Sequence, residues 1–196
     1  MYESRFKTLR HIETVRNYLN LCVRELLYRQ ELHDQSKLQS PEVEVFDEYT
    51  TRLKDMEYDS LEYRQCLKEM KPAIDHHVSV NRHHPEYFDG QYTCDCGHRL
   101  GPDERGVVAD ECSRCGKHLR DSTILGSGIR GMNLIDLLEM IVDWHASSMR
   151  GKNGNLLESV RINQKRFGYS DELAEILTNT ASWLIESDAY HHADES

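Results

Sequence analysis

The sequence predicts an all-α body carrying one small metal-binding insert, and three observations support that. Apolar residues recur every three or four positions over long stretches, most regularly in residues 133–149 (NLIDLLEMIVDWHASSM). Helix start and stop residues punctuate those stretches, as at Ser40-Pro41-Glu42, Gly168 and Ser170. Outside residues 91–125, no segment alternates apolar and polar residues as a half-buried strand would.

From Arg5 to Glu31, Ile12, Val15, Leu19, Cys22, Val23, Leu26 and Leu27 form one apolar stripe, and His11 on the same stripe is expected to face inward. Ser40-Pro41-Glu42 reads as a helix start, with a serine cap, proline in the first turn and an early acid, leading through Phe46 and Leu53. A further helix begins near Ser60, is kinked or restarted by Pro72, and continues to about His84; Pro85 ends it. In the 133–149 helix, Leu134, Leu137, Leu138, Ile141 and Val142 supply the apolar face. Asn155 to Phe167 reads as helix with Gly168 as its C-terminal cap, and Ser170 caps a last helix carrying Leu173, Ile176, Leu177, Ala181 and Leu184. The polar tail AYHHADES is expected to fray. The domains are then a helical unit over 1–90 and 126–190, an insert over 91–125, and a flexible tail over 191–196.

At 196 residues the chain suffices for one well-buried domain plus a small insert. Its net charge of −10, with no Lys/Arg-rich run, argues against wrapping duplex nucleic acid by phosphate neutralisation. A single nucleotide needs only a few local cations and stays open as a ligand. No apolar run approaches the roughly 20 residues of a membrane span, and MYESRFKTLRH lacks the apolar core of a signal peptide. The expected location is therefore cytoplasmic, in the host if the gene is carried by a phage. Cys22 and Cys66 lie among apolar helical positions and read as core thiols.

The other four cysteines fall within twenty-two residues, as Cys94-Asp-Cys96-Gly and Cys112-Ser-Arg-Cys115-Gly. Four thiolates from two turns can surround one tetrahedral zinc, and the glycines free backbone amides to approach sulfur. His98 or His118 could replace one cysteine, but that would strand a thiol beside the metal, so the four-cysteine shell is favoured. A full shell leaves no open coordination position, which makes this a structural site. In residues 91–131, six Lys/Arg are matched by six acids, so no basic face is evident.

A second set of metal-ligand types is spread along the helices: His11, His33-Asp34, His77, His83-His84 and Asp143. His77 and His84 are seven apart and share a face, with Asn81 between them, if the helix persists. Asp136, Glu139 and Asp143 lie on one side of their helix, where burial is costly without cations. In this order the residues resemble the HD superfamily of metal-dependent phosphohydrolases, whose pattern is H…HD…D. HDQSKL, NRHHPEYF and DLLEMIVDWHASS look like those of an uncharacterised HD-like family common in phage and bacterial genomes. The resemblance implies an HD-like helical bundle with a zinc-ribbon insert. It also implies that His11, His33, Asp34 and Asp143 are the core metal ligands, with His77, His83 and His84 serving a second ion or the substrate.

Imidazole and carboxylate donors suit one or two Mn, Fe, Co, Ni or Zn ions, and an open coordination position lets such an ion acidify a water. Lys37 and Arg82 are candidate phosphate contacts, and Glu86 is a candidate proton relay. The expected activity is hydrolysis of a nucleotide or other small phosphoester. Two alternatives stand beside it. An HD-fold di-iron oxygenase has the same ligand order, and a non-catalytic adaptor would use the ribbon to recognise a partner.

Overall fold

A computed structural model describes residues 2–54, 56, 60–89, 92–94, 96, 98–100, 111–118, 128–150 and 154–194. The chain is all-α. Helix α1 spans Tyr2–Leu32 and a 3₁₀ turn follows at Gln35–Leu38. Helices α2 (Val43–Lys54), α3 (Leu61–Glu69) and α4 (Lys71–Val80) come next, then a 3₁₀ turn at Pro85–Phe88. In the insert, β1 (Tyr92–Thr93) pairs antiparallel with β2 (Arg99–Leu100), Tyr92 opposite Leu100, and Glu111 bridges His118. A 3₁₀ turn at Gly128–Gly131 leads into α5 (Leu134–Arg150), α6 (Leu156–Phe167) and α7 (Asp171–Asp194). Most of the chain between the two cysteine pairs, and the return from the insert to the body, lie outside the described residues.

Local chemistry accounts for most boundaries. The Ser60 hydroxyl accepts the Tyr63 amide at 3.1 Å to start α3, and Asn155 does the same for Glu158 at 3.2 Å to start α6. Gly168 ends α6 at φ +63, a left-handed position that glycine adopts without a Cβ clash. Pro72 restarts rather than kinks, because α3 closes at Glu69 and proline sits in the first turn of α4. Asn133 and Asp136 cap α5 reciprocally: the Asn133 side chain accepts the Asp136 amide, and Asp136 accepts the Asn133 amide.

Four expectations need correction. α2 starts at Val43, because Glu42 turns its side chain inward instead of standing in the first helical turn. α4 stops at Val80, four residues short of His84: the Asn81 side chain donates to the His77 carbonyl at 2.8 Å and ends the helix there. α7 runs to Asp194, so the helix continues into the tail expected to fray. The stripe on α1 is largely uncovered: Ile12, Val15, Leu19, Val23 and Leu27 are exposed, as are His11 and Cys22. Only the last turns of α1 reach α5, so among the described residues the earlier part of α1 has no other helix to pack against.

The principal core lies between α5, α6 and α7, where Met140, Ile141, Leu156, Val160, Leu177 and Ala181 are buried together. Phe88 forms a second buried point, and the backbone of Gly131 lies so close that a Cβ there would meet the Phe88 Cβ at 2.6 Å. This close approach fixes the 3₁₀ turn that carries Pro85 and Glu86 beside the start of α5. Among the described residues, no helix is long and apolar enough to cross a membrane.

Candidate metal centre

The end of α1, the turn after it, the end of α4, the loop before Pro85 and the middle of α5 bring His33, Asp34, His77, His83, His84 and Asp143 together. Asp34 stands at the hub. It occupies the left-handed region at φ +56, where a non-glycine residue is strained and aspartate is one of the few residues tolerated. That turn swings its carboxylate back from the helix axis toward the histidines. Asp34 Oδ1 lies 3.3 Å from His77 Nε2 and 3.4 Å from His83 Nε2, and His84 Nε2 lies 3.0 Å from His77 Nε2. On the other side of the hub, His33 Nε2 is 3.8 Å from Asp34 Oδ2 and 3.7 Å from Asp143 Oδ1.

A buried carboxylate, Glu42, and a half-buried one, Glu139, set the direction of these rings. Glu42, with no exposed surface, accepts from His77 Nδ1 at 2.9 Å, from His76 Nδ1 at 2.7 Å and from the Ser36 hydroxyl at 3.0 Å. Glu139 Oε1 lies 3.0 Å from His33 Nδ1 and 3.3 Å from His83 Nδ1, while its Oε2 accepts from Arg29 at 3.1 Å. An ionised carboxylate only accepts hydrogen bonds, so Nδ1 of His33, His76, His77 and His83 carries a proton, which leaves Nε2 of His77 and of His83 to face Asp34 Oδ1 as the metal-ligating atom.

Two buried atoms at this hub, Asp34 Oδ1 and His83 Nε2, have no hydrogen-bond partner. Buried polar atoms are rarely left so. The separations of 3.0, 3.3 and 3.4 Å match the edge of about 3.3 Å expected between N and O ligands around a tetrahedral ion. The residues present therefore fit a divalent cation, held by Asp34, His77, His83 and His84. A second group, His33, Asp34 and Asp143, shares Asp34 with the first, and a third joins His33, His83 and Glu139.

The electrostatics favour added positive charge. His33 is pushed up to about 10, first by its bonds to Asp143 and Glu139. Burial works to raise Asp34, Glu139 and Asp143, yet facing cations hold all three below the usual carboxylate range: Lys37 for Asp34, and His33 for the other two. Burial, reinforced by His83 and His77, pushes His84 down to about 3, so it stays a neutral ligand at physiological pH. In metal-free protein the raised His33 stabilises fully below pH 6.5 and loses that contribution as pH rises through about 10. The lowered carboxylates stabilise above their usual values near 4 and lose their contribution on acidification. With chelator present, the melting temperature is accordingly expected to fall between pH 6.5 and 10. With a divalent ion bound in place of the His33 proton, that alkaline fall should flatten, and equal slopes in the two titrations would contradict the assignment.

His11 does not join the site. It lies twenty-two residues before His33 on one continuous helix, a separation of about 33 Å along the axis. Glu139, one helical turn before Asp143, joins the cluster instead. The two cations expected at a phosphate are engaged elsewhere. Lys37 Nζ lies 2.6 Å from Asp34 Oδ2, and Arg82 pairs with fully buried Asp136, which also accepts from Arg29 at 2.6 Å. A buried carboxylate needs those cations.

An open cleft of about 380 Å³ adjoins the cluster, lined in part by His84, Glu86, Asp143, Trp144, Ser147 and Arg166. The Arg166 guanidinium donates to Glu86 Oε1 at 2.8 Å, and Glu86 Oε2 is buried without a hydrogen-bond partner. Trp144 stacks near-parallel on Phe167. In the sequence Arg166 reads as one of several basic residues near the end of α6, with no local signal to mark it.

The four insert cysteines form a separate cluster. Cys94 and Cys115 sulfurs are 3.4 Å apart and those of Cys96 and Cys112 are 3.7 Å apart, close to the edge of about 3.8 Å for thiolates around zinc. Gly116, at φ +69, makes the turn after the second pair. His98 points to the Ser113 hydroxyl and His118 to Glu111, leaving the four sulfurs as the clustered ligands.

Residues 1–187 match the model of a family described as a family of unknown function (DUF5662), and the chain belongs to that family. No curated protein and no solved structure matches the chain.

Proposed function

We propose that this member of the DUF5662 family is a metal-dependent phosphohydrolase acting on a nucleotide or another small phosphoester. The observation that carries the reading is the convergence of the Nε2 atoms of His33, His77 and His83 on Asp34 beside an open cleft. In this reading zinc is held structurally by Cys94, Cys96, Cys112 and Cys115. One or two Mn, Fe, Co, Ni or Zn ions belong in the body, where His77, His83, His84 and Asp34 would hold the first, and His33, Asp143 and the shared Asp34 a second. A bound ion there supplies Lewis acidity, acidifying a water and drawing charge from a phosphoryl oxygen.

The chain's own groups do the rest. Arg166 stands at the cleft with its side chain 63% exposed, placed to exchange its Glu86 partner for a substrate anion. Glu86, released from that pair, is placed to carry a proton to or from the leaving group. Trp144 offers an apolar wall for the organic part of the ester. Lys37 and Arg82 keep Asp34 and Asp136 in position.

Elemental analysis and a phosphate-release panel test the reading together. Purified protein is expected to carry zinc that survives His33→Ala, and further metal that does not. With Mn²⁺ or Co²⁺ it should release phosphate from at least one nucleotide or sugar phosphate. Metal confined to the cysteine cluster would leave a binding protein. Oxygen uptake after anaerobic iron loading, without phosphate release, would make the same cluster an oxygenase site.

A further inference from the structure

The longest helix is the least covered. α1 runs for 31 residues, about 46 Å, and every residue from Glu3 to Glu25 is exposed. Such a helix gains little stability from propensity alone in water. Its apolar residues are nevertheless arranged as a seam: Ile12, Val15, Leu19, Cys22 and Leu26 are spaced 3, 4, 3 and 4 apart. That 3.5-residue period is the mark of a face meant for another helix. Near the C-terminal end of α1 the seam face is already taken, because Arg29 and His33 bond to α5. Further toward the N-terminus nothing among the described residues covers it, and Leu19 is 60% exposed.

We infer that this seam is closed by α1 of a second copy of the chain, packed antiparallel about a two-fold axis near Asn17. Three observations select that occupant. The seam is symmetric about position 17, so antiparallel pairing sets Val15 against Leu19 and Ile12 against Cys22 of the second copy, with Leu9 near Val23. The area is sufficient: Leu9, Ile12, Val15, Leu19 and Val23, on or flanking the seam, each leave about half their surface in water. That amounts to roughly 400 Å² of apolar side chain per copy, close to the apolar share of the ~800 Å² per partner of a standard interface. Orientation follows from α5, which occupies the region that the C-terminal turns of a parallel partner would need, whereas an antiparallel partner uses only the free stretch. The same register brings His11 to the edge of the seam beside Glu25 of the second copy, giving the histidine that the metal centre leaves aside a position of its own.

Light scattering on the full-length protein at micromolar concentration tests the pairing. Wild type is expected at twice the 22.9 kDa chain mass, and Leu19→Asp at the single mass with unchanged metal content. A wild type at the single mass, or a Leu19→Asp variant that keeps the doubled mass, overturns the proposal. A second variant fixes the register without relying on disruption. Mild oxidation of Ile12→Cys is expected to yield a covalent dimer through native Cys22, which lies about 15 Å from position 12 along its own helix and cannot bond to it. The cross-link should vanish in Ile12→Cys/Cys22→Ser; its persistence there would rule out this register.

Discussion

Asp34→Asn is expected to empty the body metal centre while leaving the fold intact. Asparagine is nearly isosteric and, like aspartate, tolerates the left-handed φ of +56, so the turn after α1 survives. What disappears is the shared anionic ligand on which His33, His77 and His83 converge. An amide oxygen is a much weaker ligand than a carboxylate, and the loss should exceed the roughly 10–100-fold that substitution of an outer partner costs in affinity or rate. The pair with Lys37 is also lost, but it is partly exposed and worth at most about 1 kcal/mol. Metal titration and calorimetry on the same samples should therefore separate the two effects: a collapse in body-site metal, with a melting temperature near that of metal-free wild type. Full metal retention in the variant would remove Asp34 from the centre.

Glu42→Ala should be costly for both fold and site. Its carboxylate is fully buried and serves three donors, from His76, His77 and Ser36. Removing it leaves buried donors facing a void, at a cost of about 1–3 kcal/mol for each one left without a partner. The conservative Glu42→Gln is the sharper probe. Its carbonyl oxygen can accept from only one side, while its amide NH₂ meets the other histidine as a donor facing a donor. One ring must then change tautomer. If His77 is the one that changes, its Nε2 gains the proton and can no longer act as a ligand. Glu42→Gln is expected to fold, lose about 10–100-fold in body-site metal affinity, and alter the visible spectrum of the cobalt-loaded protein. An unaltered spectrum and affinity would make Glu42 a packing residue only.

Much of this site was legible because its ligand types are uncommon in neighbouring pairs. His33-Asp34 and His83-His84 stand out in sequence, and Asp143 shares a helix face with two other acids. Helix extension is where the sequence misleads. His84 reaches His77 not by two helical turns but through a loop, since Asn81 had ended α4. His11 failed for the opposite reason: its helix does persist, and persistence carries it away from His33. Glu42 read as an early helical acid, and no local signal marks it as the buried partner of two histidines thirty-five residues on.

The chain by itself determined what nearest neighbours decide: the helical body, the caps at Ser60, Asn155 and Gly168, the cysteine turns, and the period of the α1 seam. Periodicity states which residues share a face. It does not state what covers that face, because burial depends on where distant segments run. The tertiary arrangement alone decided that Glu42 and Glu139 hold the imidazoles, that Lys37 and Arg82 pair with carboxylates, and that Arg166 stands at the cleft. The physical reason is the range of the interactions. Hydrogen bonds and ligand geometry act over about 3 Å in space, and residues more than a hundred apart, such as His33 and Glu139, meet at that range only once the chain has folded.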